Sequence, residues 1–182
     1  ASLWPDFKAY PFFDFTLATL QTSSSDAMTT YLFLKWLHIL SSVLLVGTGF
    51  GSAFYLYFIN RTRNVQAIAE VCRLVVRADY WFTTSTIIIQ PITGYLMLHH
   101  YESFLTQTWL LWTYGFYLLA GICWLPVVWL QIRMSVIARD AVTTNSDLPE
   151  HYWRYARYWE WLGYPGFLGM IGVYWLMVFK PN

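Results

Sequence analysis

The run YLFLKWLHILSSVLLVGTGFGSAFYLYF, from Tyr31 to Phe58, is almost entirely apolar and long enough to cross a bilayer. As a helix, a chain needs roughly 20 mostly apolar residues to span the hydrocarbon layer. Windows of that size pick out four segments, at about 32–59, 80–99, 109–136 and 161–179. The second is diluted by Gln90, Pro91 and several threonines, which neighbouring helices in a bundle can satisfy. The chain is 57% hydrophobic and 12% charged, about half the charge of an average soluble domain. An all-α, four-helix transmembrane bundle is the fold class this predicts. The formal net charge of +1 provides no basic surface, and the reading is no nucleic acid partner. Cys72 and Cys123 form no CxxC pair or metal-knuckle spacing, which argues against a disulfide framework.

Orientation follows from the arginines. Arg61, Arg63, Arg73 and Arg77 lie between segments one and two, and Arg133, Arg139, Arg154 and Arg157 flank the connection between three and four. The link YESFLTQT between segments two and three has no basic residue. By the positive-inside rule, the arginine loops face the cytoplasm and both termini face the periplasm of a bacterial inner membrane. Residues 1–27 form a separate aromatic extension, with the polar run TSSSDA at 22–27 reading as a linker. Its aromatics alternate with Pro and Asp, which suits an interfacial segment on the membrane surface. A compact four-span membrane domain occupies 28–182.

On a helical wheel, Tyr31, Lys35, Ser42, Leu45, Gly49 and Ser52 fall within about 60° of His38. Gly47 and Gly51 make a GxxxG on roughly the opposite side, a pattern that lets a second helix approach closely. They are the candidate face for a homodimer or another membrane-protein partner. Lys35 is shallow enough to snorkel to the surface. His38 lies on the order of 10 Å below it, where an ionisable side chain is expensive and marks function. Segment two runs the opposite way and delivers His99 and His100 to the same side. His100 lies nearer the stripe Thr83, Thr86, Gln90, Thr93 and Gly94, although a kink at Pro91 can reverse that choice.

Two imidazoles from facing helices are what axial ligation of a haem iron requires. Trp109, Thr113, Tyr117 and Trp124 share one face of segment three and supply aromatic surroundings, and Ser41, Ser42 or Gln90 can hydrogen-bond a ligating imidazole. The bland alternative is a histidine bonded to a neighbouring helix and aromatics enriched at the membrane interface. No GxGxxG, P-loop, GxSxG or HExxH is present. Asp140, Asp147 and Glu150 read as solvated loop charge, and the span interiors read as free of acidic residues.

The segments YLFLKWLHILSSVLLVGTGFGSAFY, ADYWFTTSTIIIQPITGYLMLHH, GICWLPVVWLQIRM and GYPGFLGMIGVYWLMVFKP together resemble the bacterial integral-membrane proteins grouped as domain of unknown function 2269. That resemblance covers roughly residues 28–182 and implies the four-span fold without an activity. Segment one is also distantly similar to the first span of HemJ-type protoporphyrinogen oxidases, which reads aromatic-x-x-Lys-x-x-His followed by small residues. The likeness implies haem b, with His38 at the position of the haem ligand. Those proteins also rely on a lysine near the start of span three, where this chain has WLLWTYGF with Thr113 or a neighbour in its place. This departure weakens the implied porphyrinogen chemistry and leaves haem binding standing.

The resulting expectation is a membrane protein binding haem b through His38 and His100 or His99. Ser42, Gln90, Trp109, Thr113 and Tyr117 surround the cofactor, which serves electron transfer with a quinone or a partner protein or a haem-pathway redox step. The alternatives are a cofactor-free accessory subunit of a larger membrane complex and a small transporter using the Ser and Thr stripes.

Overall fold

The computed structural model describes residues 11–98 and 107–181, with side chains from residue 26 onward. The described chain is all-helical. Helix α1 is Pro11–Thr62, α2 is Val65–Ala78, α3 is Thr84–Leu98, α4 is Thr108–Thr143 and α5 is Glu150–Phe179, with a π-helical turn over Asp79–Thr83 between α2 and α3. The polar run at 22–27 lies within α1, which continues into the first apolar segment.

Among the described residues, three stretches are long and apolar enough to cross a membrane: Asp26–Thr62, Thr108–Thr143 and Glu150–Phe179. The sequence predicts four. Segment two differs because its helix has only 15 residues and is entered through the π turn.

Helix α2 is short because Arg63 adopts a left-handed φ of 55° and the Asn64 side chain caps the new helix, accepting from the Ala67 N–H at 3.1 Å. Its stripe Ile68, Cys72 and Val75 is buried, while Arg73 and Arg77 are exposed. This stripe packs against α1 and α4 in a core made with Leu56, Leu130, Met134, Ala138 and Tyr152. The Tyr152 hydroxyl donates to Asn60 Oδ1 at 2.7 Å and lies 3.5 Å from Cys72 Sγ. One phenol thereby joins α1, α2 and α5. Burial pushes the Cys72 thiol up to about 11, with the Tyr152 hydrogen bond opposing, so this thiol is an inert packing group.

Away from that end the helices sort into pairs, α1 on α3 and α4 on α5, with few contacts between α1 and α5. The α4–α5 pair approaches closely along Gly166, Gly169 and Gly172. A Cβ at Gly169 would lie 3.3 Å from the Phe116 carbonyl oxygen, and one at Gly172 would lie 3.3 Å from the Phe116 ring. Lipid offers no hydrophobic drive between helices, so contact area gained by small residues holds such pairs together. The GxxxG at Gly47 and Gly51 plays no such part within the described residues, because nothing lies within 4 Å of a Cβ at either position. Outward-facing Phe33, Trp36, Ile39, Leu118, Ile122 and Leu125 are exposed, as a lipid-facing surface requires.

Gly169→Leu forces α4 and α5 apart and lowers stability in detergent by about 1–3 kcal/mol, the usual cost of overpacking. Gly47→Leu leaves the unfolding temperature of the isolated chain unchanged. Equal effects of the two substitutions in thermal unfolding would contradict this assignment of the packing glycines.

Candidate functional site

His38 sits in a polar seam between α1 and α3. Helical spacing places His38, Ser41 and Leu45 on the α1 face that meets α3, while Thr86, Gln90 and Thr93 form the buried stripe of α3. The imidazole lies close to α3 at Gly94, where a Cβ would be 3.5 Å from His38 Cε1, an ordinary contact.

The hydrogen bonds of the seam interlock. Thr93 Oγ1 donates to the Ile89 carbonyl at 2.8 Å and is 2.7 Å from His38 Nδ1. With its only proton given to Ile89, that hydroxyl accepts from His38, which places the ring proton on Nδ1 and the lone pair on Nε2. Gln90 Nε2 donates to the His38 carbonyl at 2.8 Å and to Ser41 Oγ at 2.7 Å. The partner that orients the imidazole is therefore Thr93, whereas the sequence points to Ser41, Ser42 or Gln90.

The remaining residues singled out from sequence occupy several places. Ser42 donates to its own helix at the Ile39 carbonyl, 2.7 Å away, and takes no part in the seam. Trp109 is buried with Leu110 and Leu176, its indole N–H bonded to Gln107 Oε1 at 2.6 Å. Thr113 donates back to the Trp109 carbonyl at 2.8 Å. Lys180 Nζ lies 5.5 Å from the centre of the Trp109 ring, tying the end of α5 to the start of α4. Leu98 packs against this cluster; His99 and His100, which follow it, lie outside the described residues. Lys35 is exposed, consistent with snorkelling.

Tyr117 repairs the backbone. Pro91 has no N–H to give to the carbonyl of Ile87 four residues earlier, and the Tyr117 hydroxyl donates to that carbonyl at 2.7 Å. This bond links α4 to α3 in a region where an unmade hydrogen bond is costly.

Asp79, just ahead of segment two at about 80–99, was not singled out from sequence, and the structure buries it. It is 5% exposed, and its Oδ1 accepts from the Thr83 hydroxyl at 2.8 Å. The signal was present in the sequence: Ile68, Cys72, Val75 and Asp79 recur at helical spacing, so Asp79 extends the buried stripe of α2. Its position at the start of segment two, beside Arg77, concealed it.

Tyr117→Phe leaves the Ile87 carbonyl without a partner and costs about 1–3 kcal/mol. In a Pro91→Ala background, the restored N–H takes that carbonyl and the cost falls toward zero. Additive losses in this double-mutant cycle, measured by unfolding in detergent, would refute the repair role.

The model of the DUF2269 family, described as predicted integral membrane proteins, matches residues 32–181. No curated protein and no solved structure matches the chain. The matched range takes in all of the helical pairs and the polar seam, and the chain belongs to the DUF2269 family of predicted integral membrane proteins.

Proposed function

We propose that the protein crosses the bacterial inner membrane four times, both termini periplasmic, and binds haem b with His38 as one axial ligand. The 20 residues of the π turn and α3 extend about 30 Å as helix, which matches the hydrocarbon layer. A fourth crossing there returns every arginine-bearing connection to one side.

The observation that carries the haem reading is the bond between His38 Nδ1 and Thr93 Oγ1. An axial imidazole must be neutral, with one nitrogen held by a hydrogen bond and the other bearing a lone pair. The bond to Thr93 supports both conditions for His38. His100 or His99, beyond Leu98 at the end of α3, is the proposed second ligand. Bound haem b would supply reversible one-electron transfer, with a quinone or a membrane-protein partner as the exchange partner. The chain's own contribution is to fix the imidazole tautomer and to exclude water with the outward-facing apolar surface.

Purified in detergent, the protein shows a Soret band and, after dithionite, a reduced α band. His38→Ala removes or strongly shifts both, and Thr93→Val shifts the reduction potential while the bands remain. A spectrum without either band, or one unaltered in His38→Ala, defeats this reading.

A second reading, a cofactor-free accessory subunit, is favoured by the open GxxxG face. Gly47 is exposed and no side chain approaches it or Gly51, leaving a helix-sized contact surface for another membrane protein or a second copy.

A further inference from the structure

Between the two helix pairs, near the arginine-bearing end, lies a cavity of about 480 Å³, within the range of small-molecule sites. Its walls come from α1, α4 and α5, from the π turn and from Ile87 of α3. Five of its side chains are aromatic: Phe50, Tyr117, Trp124, Trp159 and Phe167. Phe50 of α1 and Phe167 of α5 stack across its rim with ring centres 5.5 Å apart. Leu118, Ile122 and Leu125, at the margin, are 63%, 68% and 64% exposed. The cavity therefore opens sideways, toward lipid.

Its polar end is built from Asp79, Thr83 and Gln131, which are 5%, 4% and 4% exposed. Asp79 is the one carboxyl-bearing residue of the lining among the described residues. Gln131 lines the cavity together with Asp79, and Gln131 Oε1 is buried with no hydrogen-bond partner among the described residues. A carboxyl and an unpaired amide oxygen thus converge on one end of an aromatic cavity, with no cationic side chain in the lining to neutralise them. Aromatic faces and a carboxylate are the groups that recognise a hydrophobic cation. A bulky organic cation with spread charge also loses little on leaving water, so the pair forms where a compact ammonium would remain hydrated.

We infer that this cavity binds a hydrophobic organic cation entering from the membrane, with the charge placed against Asp79 and Gln131. This site is separate from the His38 seam and does not depend on haem. Binding exchanges one proton for the cation: the Asp79 acid releases its proton to solvent and the carboxylate pairs with the incoming charge. The other titratable groups of the lining are Tyr117, whose proton is held by Ile87, and Cys123. The residues of α1 and α5 that line the cavity are all non-titratable, and Arg73 and Arg77 of α2 are exposed. Protonation of Asp79 is accordingly the step that sets the pH dependence.

The test is equilibrium binding of tetraphenylphosphonium to the purified full chain in an uncharged detergent, beside the neutral analogue triphenylphosphine oxide. The phosphonium binds saturably, its affinity falls as pH is lowered from about 8 to about 5, and D79N weakens it by about tenfold or more. In D79N the remaining affinity no longer varies with pH. Gly121→Phe provides a variant that keeps the acid: a Cβ at Gly121 meets nothing within 4 Å, and the added ring fills the cavity and removes binding. The proposal is overturned by absence of saturable binding, unchanged affinity in D79N, pH-independent affinity in the wild type, or binding retained in Gly121→Phe. Equal affinity of the wild type for the neutral analogue also overturns it and identifies the cavity as a neutral-lipid site. If D79N does not fold, Gly121→Phe and the wild-type pH series decide the matter.

Discussion

The Tyr152 hydroxyl is the joint on which the arrangement of helices depends. It bonds Asn60 at the end of α1 and touches Cys72 in the middle of α2, and its own helix α5 is packed along α4. The surrounding core of Ile68, Val75, Leu130, Met134 and Ala138 resembles that of a soluble domain. There, burial of apolar surface from water supplies stability in the ordinary way. Where α1 leaves this core for its apolar run, that driving force is absent, because lipid is as apolar as the side chains. The position of the helix pairs in the apolar region is therefore set largely from one anchored end.

Within that apolar region a different constraint governs. Each polar group must find a partner inside the protein, and the chain meets this demand by local exchange. Thr86, Thr93 and Thr113 return their hydroxyl protons to carbonyls of their own helices. Tyr117 crosses from α4 to serve the carbonyl that Pro91 leaves unpaired. Gln90 spends both amide protons on α1. Such bonds do more to fix which helix lies next to which than to raise stability, since each contributes on the order of 1 kcal/mol in a membrane.

Much of this was legible in the sequence, and the exceptions have physical causes. Apolar length revealed the long helices, because the bilayer imposes a minimum that composition alone can meet. The stripe containing His38 and the facing stripe containing Gln90 and Thr93 were both visible as helical periodicity, and they do face one another. The role of Tyr117 was not visible, because it answers a gap in another helix 30 positions away in the chain. The glycines that pack α5 on α4 were not visible for a related reason. Gly47 and Gly51 have the recognised spacing, whereas Gly166, Gly169 and Gly172 depend on where Phe116 falls on the partner helix. Asp79 was missed because a charge beside arginines at a span boundary is ordinarily solvated, and the turn that buries it is π-helical.

The two polar clusters differ in how completely the chain satisfies them. In the seam around His38, the amide of Gln90 and the hydroxyls of Ser41 and Thr93 are all engaged by neighbours in the same chain. Around the cavity, Gln131 Oε1 and Trp124 Nε1 are buried without partners among the described residues. A buried unpaired group costs about 1–3 kcal/mol, which makes it rare in folded proteins and a sign of function where it occurs. A mutation at either position to an apolar residue of similar size would remove that cost. The Asp79 end of the molecule thus carries a polar arrangement that internal stability alone does not favour, whereas the His38 end is held by bonds the chain makes to itself.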